Sequence, residues 1–351
     1  MNKTDFDLML FDRIVKIQET DKQLDLRKNG CISWSGGYDS QVLSTLVDIA
    51  LPNNQIPRYF ANTGVEYNLM LKFVKQQAAK DKRIVIINNT TNIKKMLNTE
   101  GYPFKSKQHS QNYGVYYRNK QKVNDILEKI EKEPSLKFDY DFIHNLERGT
   151  KSIIKYVLGI RERERELCTS LKIVPNVLRY QFEGKSKLLI SDKCCLRLKE
   201  QLLENYAKQH GKTIHLLGIR IEEGGRRSIN KGCLSGNKDK ITFTPLKVIT
   251  DEFEEEFVKR YNVPICELYY PPYNFKRTGC KGCPFIENMQ EQLNTLYKLF
   301  PNEYKQCLHL WRPVYDEYIR IGYRLKYYPH EKGVQMNLFD YEEMEEWNRK
   351  M

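Results

Sequence analysis

A six-residue turn, Ser35-Gly36-Gly37-Tyr38-Asp39-Ser40, carries the first chemistry legible in this chain. The short apolar run Cys31-Ile32-Ser33-Trp34 leads into it, and a helical pattern at Gln41, Val42, Leu43, Leu46 and Val47 follows at once. That order predicts strand, tight turn and helix. Two glycines let a backbone pass close to a ligand and aim several N–H groups the same way. The helix N-terminus behind them adds partial positive charge. Asp39 or Ser40 can cap that helix, and Ser35 and Ser40 offer hydroxyls. A plain strand-to-helix turn would need only the glycines; the added hydroxyls and carboxylate point to a cradle for phosphate. It is not a G-x-x-x-x-G-K-[ST] loop, because that spacing does not occur.

Four cysteines form the second constellation. Lys193-Cys194-Cys195-Leu196-Arg197-Leu198-Lys199 opens a predicted helix to about residue 210, and Thr278-Gly279-Cys280-Lys281-Gly282-Cys283-Pro284 comes much later. A C-x-x-C turn with an internal glycine is compact and directs both sulfurs to one side. Four thiolates suffice for a cubane iron–sulfur cluster, and equally for structural zinc. Adjacent cysteines suit zinc knuckles poorly, so zinc ranks second. Between the pairs, a predicted strand over 213–218 leads into a loop holding Arg220 and Arg227, which could make forked contacts to phosphate oxygens. A basic surface loop is the alternative, but placement after a strand favours a site.

These motifs carry a family resemblance. Ser35 to Ser40 resembles the SGGxDS pyrophosphate loop of the ATP-pyrophosphatase (adenine nucleotide α-hydrolase) superfamily. Its members bind a nucleotide's phosphates there and often cleave ATP between the α and β phosphates. Thr63-Gly64-Val65-Glu66, after a second predicted strand, resembles the D-T-G-x-x-x-P-E segment of the 3′-phosphoadenylylsulfate (PAPS) reductase family, with Asn62 in place of the Asp and Asn68 in place of the Pro. Gly101-Tyr102-Pro103 is similar to a family segment near the nucleotide, which implicates Lys105 and Lys107; a turn with solvated lysines is the alternative. The C-C…C-x-x-C order resembles the signature of assimilatory adenylylsulfate (APS) reductases. It implies that Cys194, Cys195, Cys280 and Cys283 hold one [4Fe-4S] cluster.

The stretch from Gly218 through Arg220 and Glu223 to Arg227 is similar to the family's G-x-R-x-x-E-S-x-x-R segment, with Gly224 for Ser. That segment lines the substrate phosphate or sulfate pocket. The resemblance thus implies nucleotide contacts from Ser35, Gly36, Gly37, Tyr38, Asp39, Ser40, Thr63, Gly64, Gly218 and Glu223. It implies catalytic roles for Asp39, Arg220 and Arg227, and Mg2+ accompanying ATP. It covers roughly residues 28–107 and 190–300. Sulfonucleotide reductases end in an E-C-G-[LI]-H tail with a catalytic cysteine. Cys307-Leu308-His309 lacks the glycine and falls in a helical pattern over 297–318, which weighs against a reductase.

The elements that must position these residues follow a βα alternation: strands near 31–34, 56–62 and 83–87, each followed by a helical pattern. The fold class expected is α/β, a Rossmann-like parallel sheet of the adenine nucleotide α-hydrolase type, with a helical insertion and a helical C-terminal region. The expected parts are 1–107 and 186–300 for the α/β domain, 108–185 for the insertion and 301–351 for the C-terminal region. A helix over 5–27 should pack on the nucleotide domain, and an acidic helix from Asp251 to Tyr261 resembles a structural helix of the family.

The chain has 351 residues, 40% of them hydrophobic, and a formal net charge of +13. Such charge favours anionic partners, including nucleotides, DNA and RNA. A polar N-terminus and the lack of any apolar run near ~20 residues predict no membrane partner and a cytoplasmic location, where nine cysteines stay reduced. Residues 108–185 mix Tyr113, Tyr116, Tyr117 and Arg118 with lysines. They could grip nucleic acid or form an ordinary helical insertion. Gln335-Met336-Asn337-Leu338-Phe339 resembles the Q-x-x-L-F peptide by which bacterial DNA-processing proteins dock on the sliding clamp; packing on the protein's own surface is the other reading.

Three functions compete. The first is an ATP-dependent, α–β-cleaving transferase moving sulfur or another group onto nucleic acid, similar to the DNA-phosphorothioation members of the family and served by a sulfur-donor protein. The second is an APS or PAPS reductase releasing sulfite. The third is a non-enzymatic nucleotide-sensing adaptor in a defence complex.

Overall fold

Gly30 to Ser33 and Arg58 to Asn62 are apolar enough to be buried on both faces, the signature of a parallel sheet covered by helices. The computed structural model describes residues 3–163, 165–170, 173–222, 232–237 and 239–331. Its contacts divide the chain into two compact units. Met1–Thr91 with Leu196–Lys281 forms the first, and Asn92–Cys195 with the chain from Gly282 onward forms the second.

The first unit opens with α1 (Lys3–Leu24), β1 (Gly30–Ser33), α2 (Tyr38–Ala50), β2 (Arg58–Asn62), α3 (Asn68–Lys80) and β3 (Ile84–Asn88). In the second unit α4 (Lys107–Arg118), α5 (Arg148–Leu158) and the small hairpin β4 (Ile160–Arg163) to β5 (Glu166–Thr169) follow, then the short α6 (Lys193–Cys195). A π-helical turn, Leu196–Glu200, leads back into the first unit through α7 (Gln201–Gln209), β6 (Ile214–Leu216), β7 (Leu234–Asn237), β8 (Lys240–Phe243) and α8 (Asp251–Tyr261). The second unit closes with α9 (Met289–Leu299) and α10 (Pro301–Arg320).

The sheet runs β3-β2-β1-β6-β8-β7, parallel except for the antiparallel edge strand β7. The α/β expectation holds. From β1 the chain builds outward through β2 to β3, then returns to place β6 on the other side of β1. Ligands of such sheets sit at this reversal, beyond the carboxyl ends of the two strands. Register is tight there, with Cys31 opposite His215 and Ile32 opposite both Arg58 and Leu216. Cys31, Tyr59, Ile87 and Ala207 form a buried cluster against the sheet. Cys31 is a packing residue, and burial pushes its thiol up to about 12.

The boundaries shift in instructive ways. β2 begins at Arg58 rather than 56, because Pro57 has no N–H for a ladder; its carbonyl accepts from Ile32 N at 2.8 Å. The α/β part ends at Thr91, not 107, and α10 packs within the same unit as the insertion. Tyr318 Oη, on α10, accepts from Lys105 N at 2.7 Å. Lys105 thus serves that unit as a turn residue at φ 57°. The helix expected over 193–210 runs unbroken to Gln209 and contains a π turn, a local form frequent at functional sites. Gln335, Leu338 and Phe339 lie outside the described residues. No described helix is long and apolar enough to cross a membrane.

The insertion has a core of its own. Tyr113 and Tyr116 are buried, with ring centroids 6.1 and 5.4 Å from Phe182. They are core rings rather than stacking platforms, whereas Tyr117 is exposed. His109 is fully enclosed, with Nε2 2.7 Å from Gln181 and Nδ1 3.0 Å from the Tyr156 hydroxyl. Burial pushes it down to about 4. The unfolded chain binds this proton below about 6.5, whereas the folded chain resists it until about 4. Stability from His109 is therefore complete above pH 6.5 and is lost as the pH falls towards 4, by about 3 kcal/mol. Acid titration of near-ultraviolet circular dichroism should show this loss, and His109→Gln should flatten it.

Candidate functional site

β1 ends at Ser33, and the turn that follows is built by hydroxyls. Ser40 Oγ donates to Gly37 O at 2.8 Å and accepts from Ser35 N at 3.3 Å. Ser35 Oγ accepts from Gly37 N at 3.3 Å and lies 3.2 Å from Ser40 Oγ. α2 starts with Gly37 as its N-cap and no side-chain cap. Neither Asp39 nor Ser40 caps the helix as expected: Ser40 folds back on the loop, and Asp39 turns to Arg220. The first N–H groups of α2 have no intrahelical acceptors and point out of the helix.

The two glycines do different work. Gly36 sits at φ +71°, and a Cβ there would lie 3.0 Å from both Met70 Sδ and Val74 Cγ2. Its missing side chain makes room for α3, not for a ligand. A Cβ on Gly37 would lie 3.0 Å from Tyr269 Oη, 3.2 Å from Ser35 Oγ and 3.7 Å from Thr278 Oγ1. Three hydroxyls therefore converge over Gly37, an environment made for oxygen-rich ligands. Tyr38 N already donates to Tyr269 Oη at 3.1 Å, and that hydroxyl lies 2.8 Å from Thr278 Oγ1.

At the end of β6, Gly218 lets the neighbouring strand approach this loop. A Cβ there would meet Asp39 O at 2.9 Å and Ser40 N at 3.3 Å. Gly218 belongs to the site by contact with its backbone.

At the end of β2, Glu66 folds over its own turn, accepting from Thr63 N at 3.0 Å, Thr63 Oγ1 at 2.6 Å and Gly64 N at 3.1 Å. Thr63 and Gly64 thus spend these donors on Glu66. Lys199, from the π turn, lies 3.8 Å from the same carboxylate. Val65 O accepts from Lys281 N at 2.8 Å. The segment from Tyr269 to Lys281 is therefore bound to both glycine turns.

Arg220 is the sharpest departure from expectation. Its guanidinium meets Asp39 at 2.8 Å, Asp251 at 2.5 Å, Glu254 at 3.2 Å and Glu222 at 3.4 Å. All three of its nitrogens face acidic side chains, and through them Arg220 ties Asp39 to α8. Burial, then the nearby Asp39 carboxylate, push Glu254 up to about 9, so it holds its proton at neutral pH. With Glu254 neutral, one guanidinium still faces the carboxylates of Asp39, Glu222 and Asp251. Glu223, Gly224 and Arg227 lie outside the described residues.

The cysteine quartet is shared between the two units. Cys280 belongs to the first unit and Cys194, Cys195 and Cys283 to the second. Among the described residues no three His, Cys, Asp or Glu side chains gather as a metal-binding group. The donor chemistry of Cys194, Cys195, Cys280 and Cys283 suits a cluster or zinc. Spacing along the chain sets how one turn presents its sulfurs, not how two turns meet. Around Cys283 the turn is firmly held: Tyr315 Oη donates to Gly282 O at 2.5 Å and Tyr318 Oη to Pro284 O at 2.8 Å. A Cβ on Gly282 would lie 2.7 Å from Cys307 Sγ. Cys307 is fully buried in α10, fixed beneath that turn.

Residues 29–140 match the phosphoadenosine phosphosulfate reductase domain family. Over these residues the chain is similar to that family's domain. A phosphate complex of PAPS reductase from Candida auris is a structural neighbour at TM-score 0.38 and 11% identity, covering 80% of this chain and 96% of that one. No curated protein sequence matches the chain.

Sequence reasoning missed Tyr269, Thr278, Glu66 and the acidic side of α8. Glu66 ended the Thr63–Glu66 segment, and Asp251 and Glu254 stand three apart on one helix face. For Tyr269 no local pattern exists; only the fold brings it to Gly37.

Proposed function

We propose that this protein is an enzyme that holds the phosphates of an adenine nucleotide in the Ser35–Ser40 turn and cleaves ATP between its α and β phosphates. The hydroxyl-and-amide ring around Gly37, at the strand reversal between β1 and β6, carries this reading. Such donors suit the charge that develops on departing pyrophosphate. In the reaction an acceptor oxygen attacks the α phosphorus, the bond from that phosphorus to the bridging oxygen breaks, and pyrophosphate leaves with the electron pair. The acceptor is left adenylated, ready for displacement of AMP by sulfur or another group.

Mg2+ would enter with ATP. Such an ion is bound through one or two carboxylates and the substrate's phosphates rather than a full protein cage. Asp39 is the carboxylate on the turn itself. Its charge and the other acids around Arg220 would repel bare triphosphate.

Cys307 favours this reading over sulfonucleotide reduction. A reductase needs a thiol that reaches the substrate sulfur, and Cys307, the cysteine nearest in sequence context to the reductases' tail motif, is buried in α10. The family name fits a reductase equally, so sulfite release remains the second reading. A nucleic-acid acceptor rests on the net charge of +13 and on the clamp-like peptide. A [4Fe-4S] cluster, or zinc, rests on cysteine order alone, and no step above uses it.

The test is anaerobic purification with iron, sulfide and zinc analysis, then incubation with ATP, APS or PAPS, with and without DNA. AMP and pyrophosphate from ATP, stimulated by DNA, is the expected result. Sulfite from APS or PAPS without ATP cleavage would establish the reductase instead. Nucleotide binding without turnover would leave the adaptor. Ser40→Ala should reduce ATP cleavage about tenfold or more, since one hydroxyl serves both ends of the loop.

A further inference from the structure

The Tyr269 hydroxyl lies where a ligand oxygen is expected. It accepts from Tyr38 N at 3.1 Å, at the start of α2, and sits 3.0 Å from where a Gly37 side chain would begin. A phosphate oxygen entering the turn would seek the same N–H. The tyrosine's other partner is Thr278 Oγ1 at 2.8 Å. Two residues on is Cys280, and Lys281 N is bound to Val65 O at 2.8 Å. One short chain of polar contacts thus runs from the phosphate turn to the cysteine-bearing segment, entirely within the first unit.

We propose that Tyr269 is a displaceable stand-in for a phosphate oxygen at Tyr38 N–H, and that its displacement is passed through Thr278 to the segment carrying Cys280. The proposal rests on the reading that the Ser35–Ser40 turn binds nucleotide phosphate. The phenol has two discrete positions: accepting from Tyr38 N with the site empty, or donating to a phosphate oxygen once that N–H is taken. Only the first keeps Thr278 at its present distance. Because the coupling is reciprocal, whatever occupies Cys280 in turn changes nucleotide affinity. Tyr269 is a positioning residue here and takes no part in bond breaking.

The test uses the full chain and ATP with Mg2+ as probe. ATP affinity is measured by calorimetry, and amide exchange of the peptide spanning 276–281 by mass spectrometry, with and without ATP. In the unmodified protein ATP should speed exchange in this peptide about fivefold. In Tyr269→Phe the peptide should exchange at the fast rate with or without ATP. ATP should then bind about fivefold tighter, the value of one hydrogen bond that no longer has to be broken. Thr278→Val should lose the exchange response, and Thr278→Ser, which keeps the hydroxyl, should retain it. The Thr278 pair decides the matter should Tyr269→Phe fail to fold.

Exchange in the unmodified protein that ATP leaves unchanged or slows would overturn the proposal. So would a Tyr269→Phe variant whose affinity and exchange response match the unmodified protein. Absence of ATP binding by the unmodified protein would overturn the nucleotide reading itself, and this proposal with it.

Discussion

Gly218→Ala is expected to weaken ATP binding by about 10²-fold, the scale on which a misplacement near 1 Å is felt at a reacting centre. The added carbon would sit 2.9 Å from Asp39 O and 3.0 Å from Asp39 C. Both are backbone atoms in the first turn of α2, so no side-chain rotation relieves the contact. The end of β6 and the start of α2 must separate. That separation shifts the Tyr38 and Asp39 N–H groups and pulls Asp39 from Arg220. Overpacking of this kind costs about 1–3 kcal/mol, so the variant should still fold. Calorimetry against ATP and a thermal melt together check the claim: lost affinity with a modest fall in midpoint is expected.

The second large effect lies at the opposite end of the strands. Arg58 is wholly buried at the start of β2. Its Nη2 meets Asp48 Oδ1 at 2.6 Å, and its Nε donates to Ser44 Oγ at 3.1 Å. Arg83 reaches the same carboxylate at 2.7 Å and Asp81 at 2.8 Å. Asp48→Ala would leave Arg58 charged and buried without its anion. Breaking such pairs costs about 3–5 kcal/mol when both partners are buried. Asp48 is about a third exposed, so water screens part of the loss and about 2–3 kcal/mol is expected. The first unit's melting midpoint should fall by about 5–10 °C. Asp48→Asn, which keeps an acceptor for Arg58, should lose less. Neither change should alter ATP affinity beyond what reduced folding accounts for, because the network lies at the opposite end of the strands from the turn.

The sheet was legible because its strands are short apolar runs closed by glycine turns, a local signal. The phosphate turn was legible for the same reason, since Ser35, Gly36, Gly37 and Ser40 are neighbours in sequence. Roles set by long-range contact were not. Arg220 reads as a phosphate-binding cation in sequence, yet the α8 acids that face it, Asp251 and Glu254, arrive from 31 residues away or more. Gly36 reads as ligand clearance but clears space for Met70 and Val74. Tyr113 and Tyr116 read equally as a nucleic-acid grip or as part of an ordinary helical insertion until Phe182 is seen to pack on them. The cysteine spacing specifies donors without specifying their convergence. In each case the residue type was informative and its partner was not.

The central claim is that the turn around Gly37 receives the nucleotide's phosphates. The most direct measurement is ATP binding by the unmodified protein and by Gly37→Val. The account predicts saturable binding that Gly37→Val reduces at least 10²-fold with its fold retained, because the new side chain fills the space under the Tyr269, Ser35 and Thr278 hydroxyls. Equal affinity in both proteins would place the nucleotide elsewhere and contradict the account.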